Sequence, residues 1–414
     1  MIDEGYAYES MFVARQPVFR ADESVWGYEL LFRSGQENLA VVQDDAMATS
    51  AVIADGMSMA MEGVADSARF LINFPEQMLI DGAGFALPPE RCVVEVLEHV
   101  TPSREALAAV RRLKEAGYSI AVDDYFGQPQ LRPFLELADI LKIDILALDS
   151  DPARIRGALE GVAGGGFSLL AEKVEDDVTF RTLAGMGFSL FQGFFFSRPQ
   201  VLSGRKLSAL ETTRLQLLAE LSGMDFEPRR LGQILESDPN LSYRLFRYIN
   251  SVGFGLREKV TSLKRAIDMM GMVQARQWLG AVVLADMNPS PRAGELAVMA
   301  VQRAKFLEAL CSEAGQEMCR PDALFLAGLF SLLDAMLGVR MGDILTGLPL
   351  DEEIVMGLSG QGEIHDLLSL AHSYERGHWA DTTRRVNRLG LTVSQVDRLY
   401  ARSRYWAQKV VGGG

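Results

Sequence analysis

The sequence predicts an α/β TIM-like barrel over residues 1–204 followed by an all-α helical domain over residues 205–414. Three observations carry that reading. From residue 11 to residue 197, apolar strand-like runs alternate with helix-like stretches, the pattern of a sheet with helices outside it. Six runs between 70 and 197 end in a carboxylate, an amide or a lysine, as barrel strands do when their C-terminal ends converge on one rim. The alternation stops after Phe196-Ser197-Arg198-Pro199, and from Lys206 onward only helical periodicity is found.

The opening elements are two strand-like runs, Met11 to Phe19 and Val25 to Phe32, parted by the polar turn Arg20-Ala21-Asp22-Glu23-Ser24. Asp44 to Met61 is rich in Ala and Met at helical spacing. The six runs follow. Phe70-Leu71-Ile72 closes on Asn73, Cys92-Val93-Val94 on Glu95, Ile120-Ala121-Val122 on Asp123-Asp124, Ile140-Leu141 on Lys142, Leu169-Leu170-Ala171 on Glu172, and Leu190-Phe191 on Gln192. Between them, helices are expected over Ser103 to Ala116, with a serine cap and Glu105 in the first turn, and over Asp151 to Val162. Gly164-Gly165-Gly166 lacks the Lys-Ser/Thr of a phosphate loop and reads as a turn. Pro199 to Gly204 is the expected joint. Beyond it, helices are expected over Lys206 to Leu221, Arg229 to Glu236, Leu241 to Ile249, Ser262 to Met270, Val273 to Leu284, Ala293 to Ala314 and Pro321 to Leu333, with Trp278 buried in a helix seam.

Composition narrows the function. Lys plus Arg number 41 against 55 Asp plus Glu, a formal charge of −14 that repels phosphate backbones and argues against DNA as a partner. No stretch approaches the ~20 apolar residues that span a bilayer, and Met1-Ile2-Asp3-Glu4-Gly5 is acidic where a signal peptide is basic. Cys92, Cys311 and Cys319 form no CxxC pair, which favours a reducing compartment. A cytoplasmic protein without a membrane partner is expected. The strand endings supply hard oxygen ligands and one lysine, a collection suited to Mg²⁺ or Mn²⁺ and a phosphate ester.

These endings resemble the EAL domain, the barrel that hydrolyses cyclic di-GMP, and the second half resembles the HDOD domain, the metal-free relative of the HD phosphohydrolases. Together they look like the bacterial EAL-HDOD signalling proteins. The signature tripeptide stands as Glu29-Leu30-Leu31, with Arg33 at the family spacing, and Gln16-Pro17-Val18 looks like the nucleotide-facing opening strand. The resemblance implies metal ligands at Glu29, Asn73, Glu95, Asp123, Asp124 and Glu172, catalytic roles for Lys142 and Glu172, and substrate contacts from Gln16, Arg33 and Gln192. Glu98 matches the family's anchor for the loop after Asp124. Gln192-Gly193-Phe194 is close to the closing motif. The HDOD half rests on Ile234 to Pro239, Asn250-Ser251 with Gly253 and Gly255, and Ser262 with Ala266-Ile267. It implies an unidentified signalling protein as partner, and a homodimer is a further expectation. His365-Asp366 reads as an ordinary pair rather than an HD metal dyad, because the chain has only four histidines.

One departure matters. Where the family continues Phe-Gly-Thr-Gly-Tyr-Ser after the paired aspartates, this chain has Tyr125-Phe126-Gly127-Gln128-Pro129-Gln130, and Pro129 stiffens a loop expected to be permissive. Two functions follow as expectations. One is a cyclic di-GMP-binding phosphodiesterase that slowly makes pGpG; the alternative is a catalytically silent scaffold acting through protein contacts.

Overall fold

Eight strands close a barrel in sequence order: β1 (Phe12–Arg20), β2 (Val25–Arg33), β3 (Arg69–Phe74), β4 (Cys92–Val96), β5 (Ser119–Val122), β6 (Ile140–Asp144), β7 (Ser168–Glu172) and β8 (Phe188–Phe191). The computed structural model describes residues 12–33, 61, 64–162, 164–193, 196, 209–223, 226–250, 260–288, 290–315, 320–346, 348 and 350–411. The helix expected over Asp44 to Met61 lies outside these residues except for Met61. So does the joint at Pro199 to Gly204. The chain falls into two compact units that divide between Phe196 and Ser197, with Glu375–Gly377 grouped with the first.

The barrel is not all-parallel. β1 runs antiparallel to both β2 and β8, whereas every pair from β2 to β8 is parallel. The cause is local: the turn between β1 and β2 is far too short for the crossover that a parallel pair requires. Asp22 closes that turn by accepting from the N–H and hydroxyl of Ser24.

Helices fill the later crossovers. Arg104–Glu115 begins at Ser103, whose hydroxyl accepts from Ala106 N, and it buries Ala106, Ala109, Val110 and Leu113 against the sheet. Pro152–Glu160 begins at Asp151, whose carboxylate accepts from Ala153 N. Strand residues pointing outward join these helices in one large apolar core. Those pointing inward form a second, smaller one of Val18, Leu71, Val93, Ala121, Ile140, Leu170 and Leu190. The inner layer is the floor on which the polar residues of the barrel stand.

Among the described residues, every element after Phe196 is a helix. Two of the expected starts carry side-chain caps: Asp238 accepts from Asn240 N and Leu241 N to open Pro239–Ile249, and Ser262 accepts from Arg265 N to open Leu263–Met270. Asn250 ends the first of these and bonds both the N–H and the carbonyl of Val260. Trp278 is buried within Met272–Ala285. The stretch expected as one helix from Pro321 to Leu333 breaks in two, Pro321–Phe330 and Leu333–Leu337, because the Ser331 hydroxyl donates back to the Gly328 carbonyl. Gly328 lets this helix cross Pro291–Ala314 closely, since a Cβ there would sit 2.5 Å from Ala304. No described helix is long and apolar enough to cross a membrane.

Candidate active site

Side chains alternate across a strand, so the residue two positions beyond each inward apolar residue must also face the barrel interior, one layer higher. Applied to the floor layer, that rule gives Asn73 above Leu71, Glu95 above Val93, Asp123 above Ala121, Lys142 above Ile140, Glu172 above Leu170 and Gln192 above Leu190. On the reversed strand β1 it gives Gln16 beyond Val18, directly opposite Glu29 of β2. One continuous polar layer therefore sits on one continuous apolar layer.

Lys142 is the hub. Its Nζ lies 2.7 Å from Glu95, 2.8 Å from Asp123, 2.9 Å from Glu172 and 3.6 Å from Glu29, and its side chain is fully buried. Glu95, Asp123 and Glu172 thus reach a common point. Glu29 also accepts from Gln192 Nε2 at 2.7 Å and from Asn73 Nδ2 at 3.3 Å, while Gln192 Nε2 is shared with Gln16 Oε1 at 2.7 Å. Gly193 lets the chain turn immediately afterwards; at φ 150° a Cβ would strike the Val174 backbone at 2.3 Å.

Four carboxylates surround one ammonium, and the surplus negative charge is visible in their acidities. Burial pushes Glu95 well above the usual carboxylate range; Lys142 pulls it down, and Glu29 and Asp123 push it up. Glu172 is raised to about 8, again chiefly by burial, with Lys142 opposing and Asp123 adding to it. Burial works against the charge on Lys142, but Asp123, Glu172, Glu29 and Glu95 outweigh it and hold the ammonium well above its ordinary value. The lysine approaches at angles that leave both Glu95 oxygens, Asp123 Oδ1 and its own Nζ without a well-directed hydrogen bond, and Glu172 Oε2, Asn73 Oδ1 and Gln192 Oε1 are likewise buried without partners. Buried oxygens with unspent lone pairs and excess negative charge fit a hard divalent cation.

A second group stands at the rim. Asp124 has φ 44°, and its carboxyl is raised to about 6 by burial and by Asp123, with Lys173 opposing. Glu98, Asp123 and Asp124 each offer an oxygen within 4.8 Å of the others. Glu98 is expected to anchor the loop after Asp124; among the described residues it makes no hydrogen bond to that loop, and the His99 imidazole lies 3.6 Å from its carboxylate. Arg33 belongs to β2, but its side chain lies outside the described residues. In the helical unit, His365 faces Ser369 at 3.4 Å, one turn along the same helix.

The sequence reading missed Asp144, Lys173 and Gln128. Lys173 pairs with Asp144 beside Asp124, and Gln128 bonds within the loop. Asp144 could have been found, since Lys142-Ile143-Asp144 repeats the two-residue step toward the rim.

Fold and site together define a β/α-barrel whose interior carries a lysine-centred carboxylate cluster. Family models agree: the EAL domain matches residues 74–199 and the HDOD domain residues 207–337. A relative from Vibrio cholerae, "Cyclic di-GMP phosphodiesterase CdgJ", is 31% identical over 96% of this chain and 93% of its own length. A second from Bacillus subtilis, "Uncharacterized protein YuxH", is 31% identical over 92% and 94%. The chain belongs to the EAL-HDOD family. A solved EAL domain protein from Listeria monocytogenes is 21% identical, covering 46% of this chain and 88% of that one, with a TM-score of 0.37. The EAL match begins at Phe74, so the placement of Gln16, Glu29 and Asn73 rests on barrel register rather than on that match.

Proposed function

We propose that the barrel binds cyclic di-GMP and hydrolyses one of its phosphodiesters to linear pGpG with a divalent cation, Mg²⁺ or Mn²⁺, and that the helical unit regulates this through a protein partner. The observation that carries the proposal is the polar layer itself: four carboxylates converging on a buried lysine in a chain that aligns along nearly its whole length with a protein named a cyclic di-GMP phosphodiesterase. Glu29, Asn73, Glu95, Asp123, Asp124 and Glu172 would hold the metal, which when bound polarises the scissile phosphate and acidifies a water.

The residues divide the remaining work. Lys142, kept cationic by its neighbours, orients the attacking water through Nζ–H. Glu172, whose carboxylate lies 2.9 Å from the Lys142 ammonium, is placed to exchange that water's proton. As the water oxygen bonds to phosphorus, one P–O ester bond breaks and the proton ends on the departing ribose oxygen. Gln192 Oε1, buried and without a partner, is an acceptor left for the ligand, beside Gln16 at the mouth of β1. Arg33 would pair with a phosphate in the bidentate geometry that guanidinium favours.

Residues 1–204 carry the chemistry in this reading and residues 205–414 the interaction. The test is purified full-length protein incubated with cyclic di-GMP and either cation, resolved chromatographically. Appearance of pGpG supports the proposal. Nucleotide bound but uncut would establish the silent scaffold instead, and neither binding nor cleavage would overturn both.

A further inference from the structure

We infer that Gln128 is a positioning residue that locks the Asp123-Asp124 turn from inside its own loop, an inference that rests on the metal-dependent reading above. The backbone on either side of the turn is tied to neighbouring strands: Asp123 N donates to the Val96 carbonyl of β4, and Tyr125 N donates to the Lys142 carbonyl of β6, both at 3.0 Å. Asp124 between them bonds neither strand through its carbonyl. Gln128 does that instead: its Nε2 donates to the Asp124 carbonyl at 2.7 Å, and its Oε1 accepts from Phe126 N at 2.7 Å.

One side-chain amide therefore satisfies an acceptor and a donor four and two residues back, and it is buried while doing so, with 6% exposure. Gly127 supplies the φ of 106° that brings Gln128 around, and Pro129 begins a 3₁₀ turn, Pro129–Leu131, that fixes it from the other side. The loop substitution is a replacement clamp rather than a loss of order. Asp124 sits in left-handed backbone, which aspartate adopts more readily than most non-glycine residues but still at some cost. Gln128, together with the strand ties on either side, holds it there. Glu98 holds a carboxylate oxygen within 4.8 Å of Asp123 and Asp124.

The test is Mn²⁺ binding by calorimetry on full-length protein, free of nucleotide. Gln128→Met keeps length and burial but removes both hydrogen bonds, and it should weaken Mn²⁺ affinity roughly tenfold, as loss of a group supporting a ligand does. Because Gln128 acts through Asp124, the same change made in an Asp124→Asn background should cost less than about twofold, a non-additivity expected of coupled residues. Should Gln128→Met not fold, Gln128→Asn, one methylene too short to span both partners, gives the same readouts. Wild-type protein that binds no Mn²⁺ overturns the metal-dependent reading and with it this inference. Wild-type binding with an unchanged affinity in the variant overturns the inference alone, and so does an equal loss with and without Asp124.

Discussion

The two units bury charge in opposite ways. In the helical unit several buried and half-buried ionic groups are matched to partners. Arg244 Nη1 sits 2.9 and 3.0 Å from the two Asp286 oxygens, Arg303 donates to Ser331 at 2.7 Å, and Lys305 reaches Glu308 at 2.5 Å beside Gln277. Even Asp334, raised to about 6 by burial, is eased by the Ala335 N–H and by Arg303. In the barrel, four carboxylates share one ammonium. Pairing is what burial for stability requires, because an isolated buried ion costs several kcal/mol. A surplus of one sign is what the proposed cation site requires, and without a counter-charge it is destabilising.

Lys142 tests this contrast most severely. Lys142→Met leaves four carboxylates with no counter-charge, so the metal-free barrel should lose about 3–5 kcal/mol, as breaking a buried ion pair does. Saturating Mg²⁺ should return most of it. Turnover should fall about 10²-fold or more, as loss of the group that orients the attacking water does, while Mn²⁺ affinity stays at or above the wild-type value. Retained phosphodiesterase activity would strip the lysine of its role. Asp123→Asn should do the reverse to the metal, weakening Mn²⁺ affinity at least tenfold and ending turnover; unchanged affinity would remove Asp123 from the ligand set.

How much of this was legible before folding depends on periodicity. The strand endings gave away Asn73, Glu95, Asp123, Lys142, Glu172 and Gln192 because a two-residue alternation above an apolar floor is written directly into the sequence. Glu29 and Gln16 were harder, since they lie mid-strand on the antiparallel β1–β2 hairpin, and only the family motifs Glu29-Leu30-Leu31 and Gln16-Pro17-Val18 marked them. The caps at Ser103, Asp151, Asp238 and Ser262 were readable for the same local reason. Gln128 was not, because a side chain returning to bond the backbone of its own loop has no periodic signature. The break at Ser331 escaped too: its cause is a single hydroxyl inside an otherwise continuous apolar helix.

The units also separate by pH. The folded value for Glu172, about 8, lies above the ~4.3 of an unfolded glutamate, and Glu95 shifts in the same direction. Between those limits the folded, metal-free barrel keeps a proton that the unfolded chain releases. The contribution of these two groups to stability is therefore greatest at low pH and falls as pH rises through that window, by at most about 1.4 kcal/mol per pH unit for each group. Thermal unfolding in EDTA should give a lower barrel midpoint at pH 8 than at pH 5, and Mg²⁺ should shrink the difference by taking the place of the protons. A midpoint that rises with pH in EDTA would mean the carboxylates are ionised and stably paired, and the contrast between the units would collapse.

The mildest prediction comes from the helical side. Arg244 and Asp286 form a two-oxygen ion pair with the arginine side chain only 12% exposed, so the pair is partly shielded from solvent screening. Arg244→Ala should cost about 1–2 kcal/mol, the ordinary worth of a charge-assisted hydrogen bond whose partner can still reach water, because the Asp286 side chain is 32% exposed. Since the pair balances itself, nothing is left over to attract a cation. Mn²⁺ affinity and turnover should therefore match wild type within about twofold, while the unfolding midpoint of the helical unit falls. Chemical denaturation and calorimetric Mn²⁺ titration on the same preparation decide it. A change in metal affinity comparable to that of Asp123→Asn would show that buried charge in the helical unit serves the metal centre after all, and that paired burial is not a mark of a purely structural role in this chain.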